Sequence, residues 1–133
     1  MLKIISKKIF IDSNADLILF EPFTKKDNGL PDVKRSLDNI KTIIDDVTRA
    51  NPNISFVIQP PPPMYKAVKY PKEVEDLKNF AQEQNIPYLD YWSEWPAQGT
   101  KEMKEVYKED FNDSNQMGYN IWTNYVEKYF ISK

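Results

Sequence analysis

Short apolar runs in the first two thirds of the chain predict β-strands. LILF at Leu17–Phe20, ISFVIQ at 54–59 and IPYLDYW at 86–92 are bounded by polar residues or prolines, a pattern typical of strands in a parallel sheet. Leu17–Phe20 is expected to be a central strand that is buried on both faces. The preceding residues 1–14 contain LKIISKKIFI, which predicts a short strand or an arm laid on a neighbour.

Between and after these runs, the apolar residues recur at three- and four-residue intervals. This spacing predicts helices from about residue 31 to 50, from Pro71 onward and from about residue 116 to 129. Strands that alternate with helices favour a parallel sheet with right-handed crossovers and helices on both faces. The predicted fold is therefore a three-layer α/β domain over residues 15–133.

Ligands of such sheets bind beyond the carboxyl ends of the strands, so the segments 21–29, 59–65 and 90–95 are expected to form one rim. The candidate ligand-binding residues in them are Glu21, Asn28, Gln59, Tyr65, Trp92 and Trp95. Other interpretations stay open. The 21–29 segment could be an ordinary turn, the four consecutive prolines after Gln59 could be a stiff connection, and the tryptophans could complete a core or an interface.

The composition narrows the function classes. The 133 residues carry 18 Lys and Arg against 20 Asp and Glu, so the chain has no excess positive charge for nucleic acid. The chain has no cysteine and no histidine, which excludes thiolate catalysis and disulfides. Its acidic pairs lack a recognisable metal-ligand spacing, so no metal and no cofactor are predicted. The apolar runs are far shorter than the ~20 residues of a membrane helix, and none forms a signal-peptide core.

Four segments, taken in order, resemble the SGNH/GDSL hydrolases, in particular a subgroup found in Gram-positive bacteria and their phages. They are ADLILFEPFTKKDNG, FVIQPPPP, IPYLDYWSEWP and DFNDSNQMGYNIWTNYVEKYF, and they span about residues 15–130. The resemblance implies a flavodoxin-like α/β/α sandwich and ester hydrolysis, often the removal of acyl groups from carbohydrates.

The chain departs from this family at the catalytic positions. The family's nucleophile lies in a Gly-Asp-Ser motif, which is absent here. In the last motif Asp110 matches the family's aspartate, but Asp113 stands where the family has its histidine. The usual pKa of aspartate is about 2.6 units below that of histidine, a handicap of about 3.5 kcal/mol for a general base. Asp110 and Asp113 are therefore candidate remnants of a catalytic pair, although Asp113, Ser114 or Asn115 could simply cap the last helix.

The resemblance also implies that the family's first strand and serine loop would precede Leu17–Phe20. The sheet is therefore expected to lack strands beside this segment. An open edge must be covered because strand edges pair with other chains. A partner chain, a second copy or the N-terminal arm could cover it.

These observations predict a catalytically inactive domain that serves as a binding or structural module, in a phage particle or at a bacterial surface, with a carbohydrate as a possible ligand. The alternative is an esterase or carbohydrate deacylase whose serine-bearing segment comes from another chain. The cellular location stays open.

Overall fold

The computed structural model describes residues 12, 14–24, 29, 32–111 and 113–131, so most of the predicted N-terminal arm lies outside the described residues. The described part is a mixed α/β structure with a two-stranded parallel sheet and four α-helices. Its elements are β1 (Leu17–Phe20), α1 (Val33–Ala50), β2 (Ser55–Ile58), α2 (Tyr70–Glu83), a 3-10 helix (Tyr91–Glu94), α3 (Lys101–Glu105) and α4 (Gln116–Ile131). None of the described helices has the length and apolarity that a bilayer-spanning helix requires.

The third predicted strand is reduced to a single bridge. Tyr88 pairs with Ile58 in parallel orientation, and Leu89 N–H donates to the carbonyl of Ile58 over 2.8 Å. The chain then turns into the 3-10 helix, where the Ser93 hydroxyl donates to the carbonyl of Asp90. The prediction of a strand over 86–92 is therefore wrong beyond this bridge, because a local turn replaces the ladder from Asp90 onward.

The prediction that β1 is buried on both faces is also wrong. β2 pairs with β1 on one side and with Tyr88 on the other, so β1 is the outer of the two strands in the described part. Ile18 and Phe20 are buried, whereas Leu17 and Leu19 are 46% and 36% exposed. Alternate side chains of a strand point to opposite faces, so only one face of β1 is fully covered.

One face of the sheet packs against α1 and α2. Ile18 and Phe20 of β1 share a buried cluster with Phe56 and Ile58 of β2 and with apolar residues of both helices, among them Val47 and Leu77.

Both helices begin as their sequences lead one to expect. Helix α1 begins after Asp32, whose side chain accepts a hydrogen bond from Arg35 N–H over 2.9 Å. Helix α2 has Pro71 in its first turn, where a missing N–H costs nothing. The two predicted helices are confirmed.

A second buried cluster joins the 3-10 helix, α3 and α4. It contains Tyr91, Trp95, Met103, Val106 and Tyr107, with Trp122 of α4 packed against it. The proline segment is held to this cluster by its carbonyl groups. The carbonyls of Pro60, Pro61 and Pro63 accept hydrogen bonds from the side chains of Tyr91, Trp92 and Tyr107. The proline run is thus a structural connection with three side-chain anchors.

Helix α4 confirms the predicted last helix and begins with a side-chain cap. The Asn115 side-chain oxygen accepts from the N–H groups of Met117 and Gly118, and its amide group donates to the carbonyls of Glu105 and Tyr107. Of the three residues considered for capping, Asn115 takes the role. The same amide ties the start of α4 to the segment that follows α3.

Candidate functional site

A cleft lies at the carboxyl ends of the two strands. Glu21 directly follows β1, Gln59 directly follows β2, and both line a cavity of about 320 Å³. Pro62, the 3-10 helix with the residue that follows it, Ser114 and α4 complete its walls. The volume is at the lower end of the range of small-molecule sites, roughly 300–1,000 Å³. The position agrees with the rule that ligands of parallel sheets bind beyond the carboxyl ends of the strands.

A chain of hydrogen bonds fixes the polar side of the cleft. The indole N–H of Trp122 donates to Gln59 Oε1 over 3.0 Å, and Gln59 Nε2 donates to Glu21 Oε2 over 2.8 Å. An indole can only donate and a carboxylate can only accept, so this arrangement determines which way the Gln59 amide points. The side chain of Gln59 is buried, whereas Glu21 is exposed at the mouth. The Glu21 carboxylate is therefore held in place by a buried amide.

Aromatic side chains form most of the remaining wall. Tyr91 and Trp95 are buried, with ring centroids 6.2 Å apart and planes inclined by 67°. Tyr119 and Trp122 lie one turn apart on α4, with ring centroids 5.6 Å apart and planes inclined by 45°. Burial, and to a smaller extent the charge of Glu21, raise the pKa of Tyr91 above its usual value. The phenol of Tyr91 therefore stays protonated and donates to the carbonyl of Pro60.

Ser114 contributes a hydroxyl whose oxygen is buried and has no hydrogen-bond partner among the described residues. An antiparallel bridge with Tyr107 holds its backbone, and Asn115 N–H donates to the carbonyl of Val106 over 2.9 Å. Gly118 lies next to it in the lining, and a Cβ at Gly118 would come within 3.0 Å of the Ser114 Cβ. Buried hydroxyls are usually paired, so this one is a candidate for contact with a ligand.

Three of the six predicted ligand-binding residues meet in this cleft, namely Glu21, Gln59 and Trp95. Trp92 and Tyr65 do not line it. The indole of Trp92 donates to the carbonyl of Pro61 over 2.9 Å, and the ring of Tyr65 stacks on Phe111 at 4.8 Å. The predicted residue Asn28 lies outside the described residues.

The predicted catalytic remnants, Asp110 and Asp113, do not line the cleft, and both are exposed. The carbonyl of Asp113 accepts a hydrogen bond from Lys108 N–H over 2.8 Å. This hydrogen bond stabilises the turn between α3 and α4. No group of three acidic side chains close enough to hold a metal ion occurs in the described part.

Four further cleft residues were not predicted from the sequence, namely Tyr91, Ser114, Tyr119 and Trp122. Tyr119 and Trp122 are three residues apart in the predicted last helix, so they share a face, but this spacing does not reveal what the face contacts. Ser114 was considered only as a possible cap.

Comparisons with models of protein families, with curated proteins and with solved structures found no match. The resemblance to SGNH/GDSL hydrolases therefore rests on the motifs in the chain itself.

Proposed function

We propose that the chain is a ligand-binding domain built on an SGNH-hydrolase-like α/β scaffold and that, by itself, it does not hydrolyse esters. The observation that carries the proposal is the cleft of Glu21, Gln59 and Trp122 at the carboxyl ends of β1 and β2. The proposal includes the finer fold, a flavodoxin-like three-layer sheet of which β1 and β2 are two strands.

The lack of catalysis follows from the chemistry of the available groups. A serine nucleophile needs a base that accepts its proton near neutral pH, and the chain contains no histidine. Asp113, at the position of the family's histidine, is exposed and lies outside the cleft lining. Ser114 lines the cleft, but the described residues around it include no imidazole that could activate it.

Binding is supported by the way the cleft combines apolar walls with a few fixed polar groups. This combination is typical of small-molecule sites, since the apolar walls contribute affinity and the polar groups set orientation. The exposed ring of Tyr119 and the buried ring of Trp95 could both contact the flat face of a sugar. A carbohydrate is the ligand class that the resemblance suggests, with a phage particle or bacterial surface as the setting.

The exposed side of β1 favours a second candidate, an esterase completed by another chain. Leu17 and Leu19 are exposed, and the outer edge of β1 has no strand partner in the described part of the chain. A partner or a second copy that adds a strand here could also bring a serine to the cleft. A Gly-Asp-Ser segment encoded directly upstream in the genome would support this candidate, and an unrelated upstream sequence would count against it.

Hydrolysis of p-nitrophenyl acetate by the purified chain tests the absence of catalysis. We expect the same rate as in buffer for the parent chain and for Asp113→Ala. Clear turnover that disappears in Asp113→Ala would contradict the proposal.

A glycan array tests binding with a matched pair of variants on α4. Tyr119→Ala removes an exposed ring that lines the cleft, whereas Phe130→Ala removes an exposed ring from the same helix outside the cleft lining. We expect any glycan signal to fall in Tyr119→Ala and to persist in Phe130→Ala. Equal signals from both variants would show that the cleft is not the binding site.

A further inference from the structure

Aromatic rings make up much of the described wall of the cleft. They belong to Tyr91, Trp95, Tyr119 and Trp122. The ring planes are inclined by 67° in the first pair and by 45° in the second. Aromatic rings prefer offset-stacked or edge-to-face contacts with one another. Since inclined rings present both faces and edges, a flat aromatic ligand can make both kinds of contact here.

The volume of the cleft limits the size of the ligand. A cavity of about 150 Å³ lined by apolar side chains holds one benzene molecule. The cleft measures about 320 Å³ and therefore has room for about two fused rings. Larger compounds would project beyond its walls into solvent.

Several polar side chains of the lining already make hydrogen bonds within the protein. The Tyr91 hydroxyl donates to the carbonyl of Pro60, and the Trp122 indole donates to Gln59. The nitrogen of the Gln59 amide donates to Glu21. A sugar carries hydroxyls on most of its ring carbons, and each one that loses water on binding needs a partner in the site. An aromatic ligand avoids this cost, because its rings have no hydrogen bonds to lose.

Ser114 differs from these residues, because its buried oxygen has no hydrogen-bond partner among the described residues. A Cβ at Gly118 would lie 3.0 Å from the Ser114 Cβ and 2.9 Å from the indole of Trp95, so the serine and this ring adjoin the same point of the cleft. A hydroxyl that makes no hydrogen bond loses none when it turns about its Cα–Cβ bond toward the cleft. A ligand that lies against Trp95 and carries one hydrogen-bonding group would then pair the unpartnered oxygen.

From these observations we infer that the cleft binds a flat aromatic alcohol or phenol of about two fused rings, with its rings against Trp95, Tyr119 and Trp122 and its hydroxyl at Ser114. This inference rests on the proposed binding function and names the chemical class of the ligand. It differs from the carbohydrate that the resemblance suggests, since it requires a single hydrogen bond and several ring contacts.

Four probes test the inference on the full chain, with affinities measured by ligand-observed NMR. 2-Naphthol has two fused aromatic rings and one hydroxyl. 2-Methylnaphthalene keeps the rings and has a methyl group in place of the hydroxyl, whereas decahydro-2-naphthol keeps the hydroxyl on saturated, non-planar rings. N-Acetylglucosamine represents a sugar. We expect 2-naphthol to bind about fivefold more tightly than decahydro-2-naphthol, because only flat rings stack on the walls.

Three variants identify the groups responsible. Ser114→Ala should weaken 2-naphthol binding about fivefold and leave 2-methylnaphthalene unaffected, because only 2-naphthol bonds to the serine hydroxyl. Ser55→Ala is the matched control, since Ser55 is exposed at the start of β2 outside the cleft lining, and it should change neither affinity. Tyr119→Ala should weaken both naphthalene compounds, because it removes a ring from the wall.

Urea unfolding of Ser114→Ala gives a second, independent measurement. Removal of an unpartnered buried hydroxyl should leave the midpoint unchanged or raise it. A lower midpoint would show that the hydroxyl is bonded within the protein, and this result would contradict the inference.

The outcomes separate this inference from the proposed function. Equal effects of Ser114→Ala on 2-naphthol and 2-methylnaphthalene, or equal binding of 2-naphthol and decahydro-2-naphthol, would overturn the aromatic alcohol. Binding of N-acetylglucosamine without binding of 2-naphthol would do the same while leaving a functional binding cleft. Absence of binding for all four probes would overturn the inference and count against the cleft as a ligand site. A loss of 2-naphthol affinity that is specific to Ser114→Ala and Tyr119→Ala would support both.

Discussion

Gly118→Ala tests whether the close approach of α4 to the rest of the protein is as tight as the structure indicates. Gly118 lies in the first turn of α4 and is buried. A Cβ at this position would lie 2.7 Å from the carbonyl oxygen of Val106 and 2.9 Å from Cη2 of Trp95. The residue is helical, so glycine is needed for space here and not for its backbone conformation.

Two opposing effects set the size of the change. Alanine favours a helix over glycine by about 1 kcal/mol in a helix interior, and by less near an end. Overpacking of a well-packed site costs about 1–3 kcal/mol. Relief by movement is restricted, because the Val106 carbonyl accepts a hydrogen bond from Asn115 N–H and Trp95 is buried. We therefore expect a net loss of about 1–2 kcal/mol in the free energy of unfolding.

Urea unfolding followed by tryptophan fluorescence measures this loss. With an m-value of about 2 kcal/mol/M, the midpoint should fall by roughly 0.5–1 M. Asn124→Ala is the matched control, because Asn124 is exposed on the same helix and alanine there should raise stability by about 0.5 kcal/mol. Trp95 lines the cleft, so its displacement in Gly118→Ala should also weaken ligand binding.

A Gly118→Ala protein as stable as the parent, or stabilised like Asn124→Ala, would refute the reasoning. It would mean that α4 can move away from Val106 and Trp95 at little cost. The cleft would then be more adaptable than the hydrogen bonds from Asn115 suggest.

Two further variants test buried hydrogen bonds. Trp122→Phe removes the donor to Gln59 and leaves a buried amide oxygen without this partner. Urea unfolding should therefore show a loss of about 1–3 kcal/mol in the free energy of unfolding. A smaller loss would mean that water reaches Gln59. Tyr107→Phe removes the hydroxyl that donates to Pro63 and whose pKa burial raises to about 12. Because the folded state holds this proton more tightly than the unfolded state, the contribution of Tyr107 is complete below about pH 10 and is lost as the pH rises to about 12. The stability of the parent should therefore fall more steeply over this interval than that of Tyr107→Phe, and equal slopes in urea unfolding would contradict this assignment.

The helices could be predicted from the sequence because their signals are local. Ile40, Ile43, Ile44 and Val47 recur at helical spacing, and all four are buried on α1. The short helix α3 was not predicted, since five residues carry too little periodicity. It is set instead by Thr100, whose hydroxyl accepts from Met103 N–H over 3.2 Å, and by burial of Met103.

The strands were harder to interpret, since an apolar run does not reveal which neighbours will cover it. LILF predicted burial on both faces, yet Leu17 and Leu19 are exposed. IPYLDYW predicted a full strand, yet its second half forms a 3-10 helix that brings Tyr91 to the cleft.

The candidate site was only partly predicted, because the sequence does not reveal which distant segments meet. Glu21 and Gln59 follow directly from the ends of the strands, whereas Trp122 is 63 residues from its partner Gln59.

The amino-acid sequence alone determined the order of β1, α1, β2, α2 and α4, and the lack of histidine and cysteine in the chain. These features depend on composition or on residues three or four positions apart, so they can be recognised without a structure. The tertiary structure decided which face of β1 is covered, how α4 approaches Val106 and which groups surround Glu21. Those outcomes depend on packing between segments distant in the chain, and no local spacing encodes which of these segments will meet.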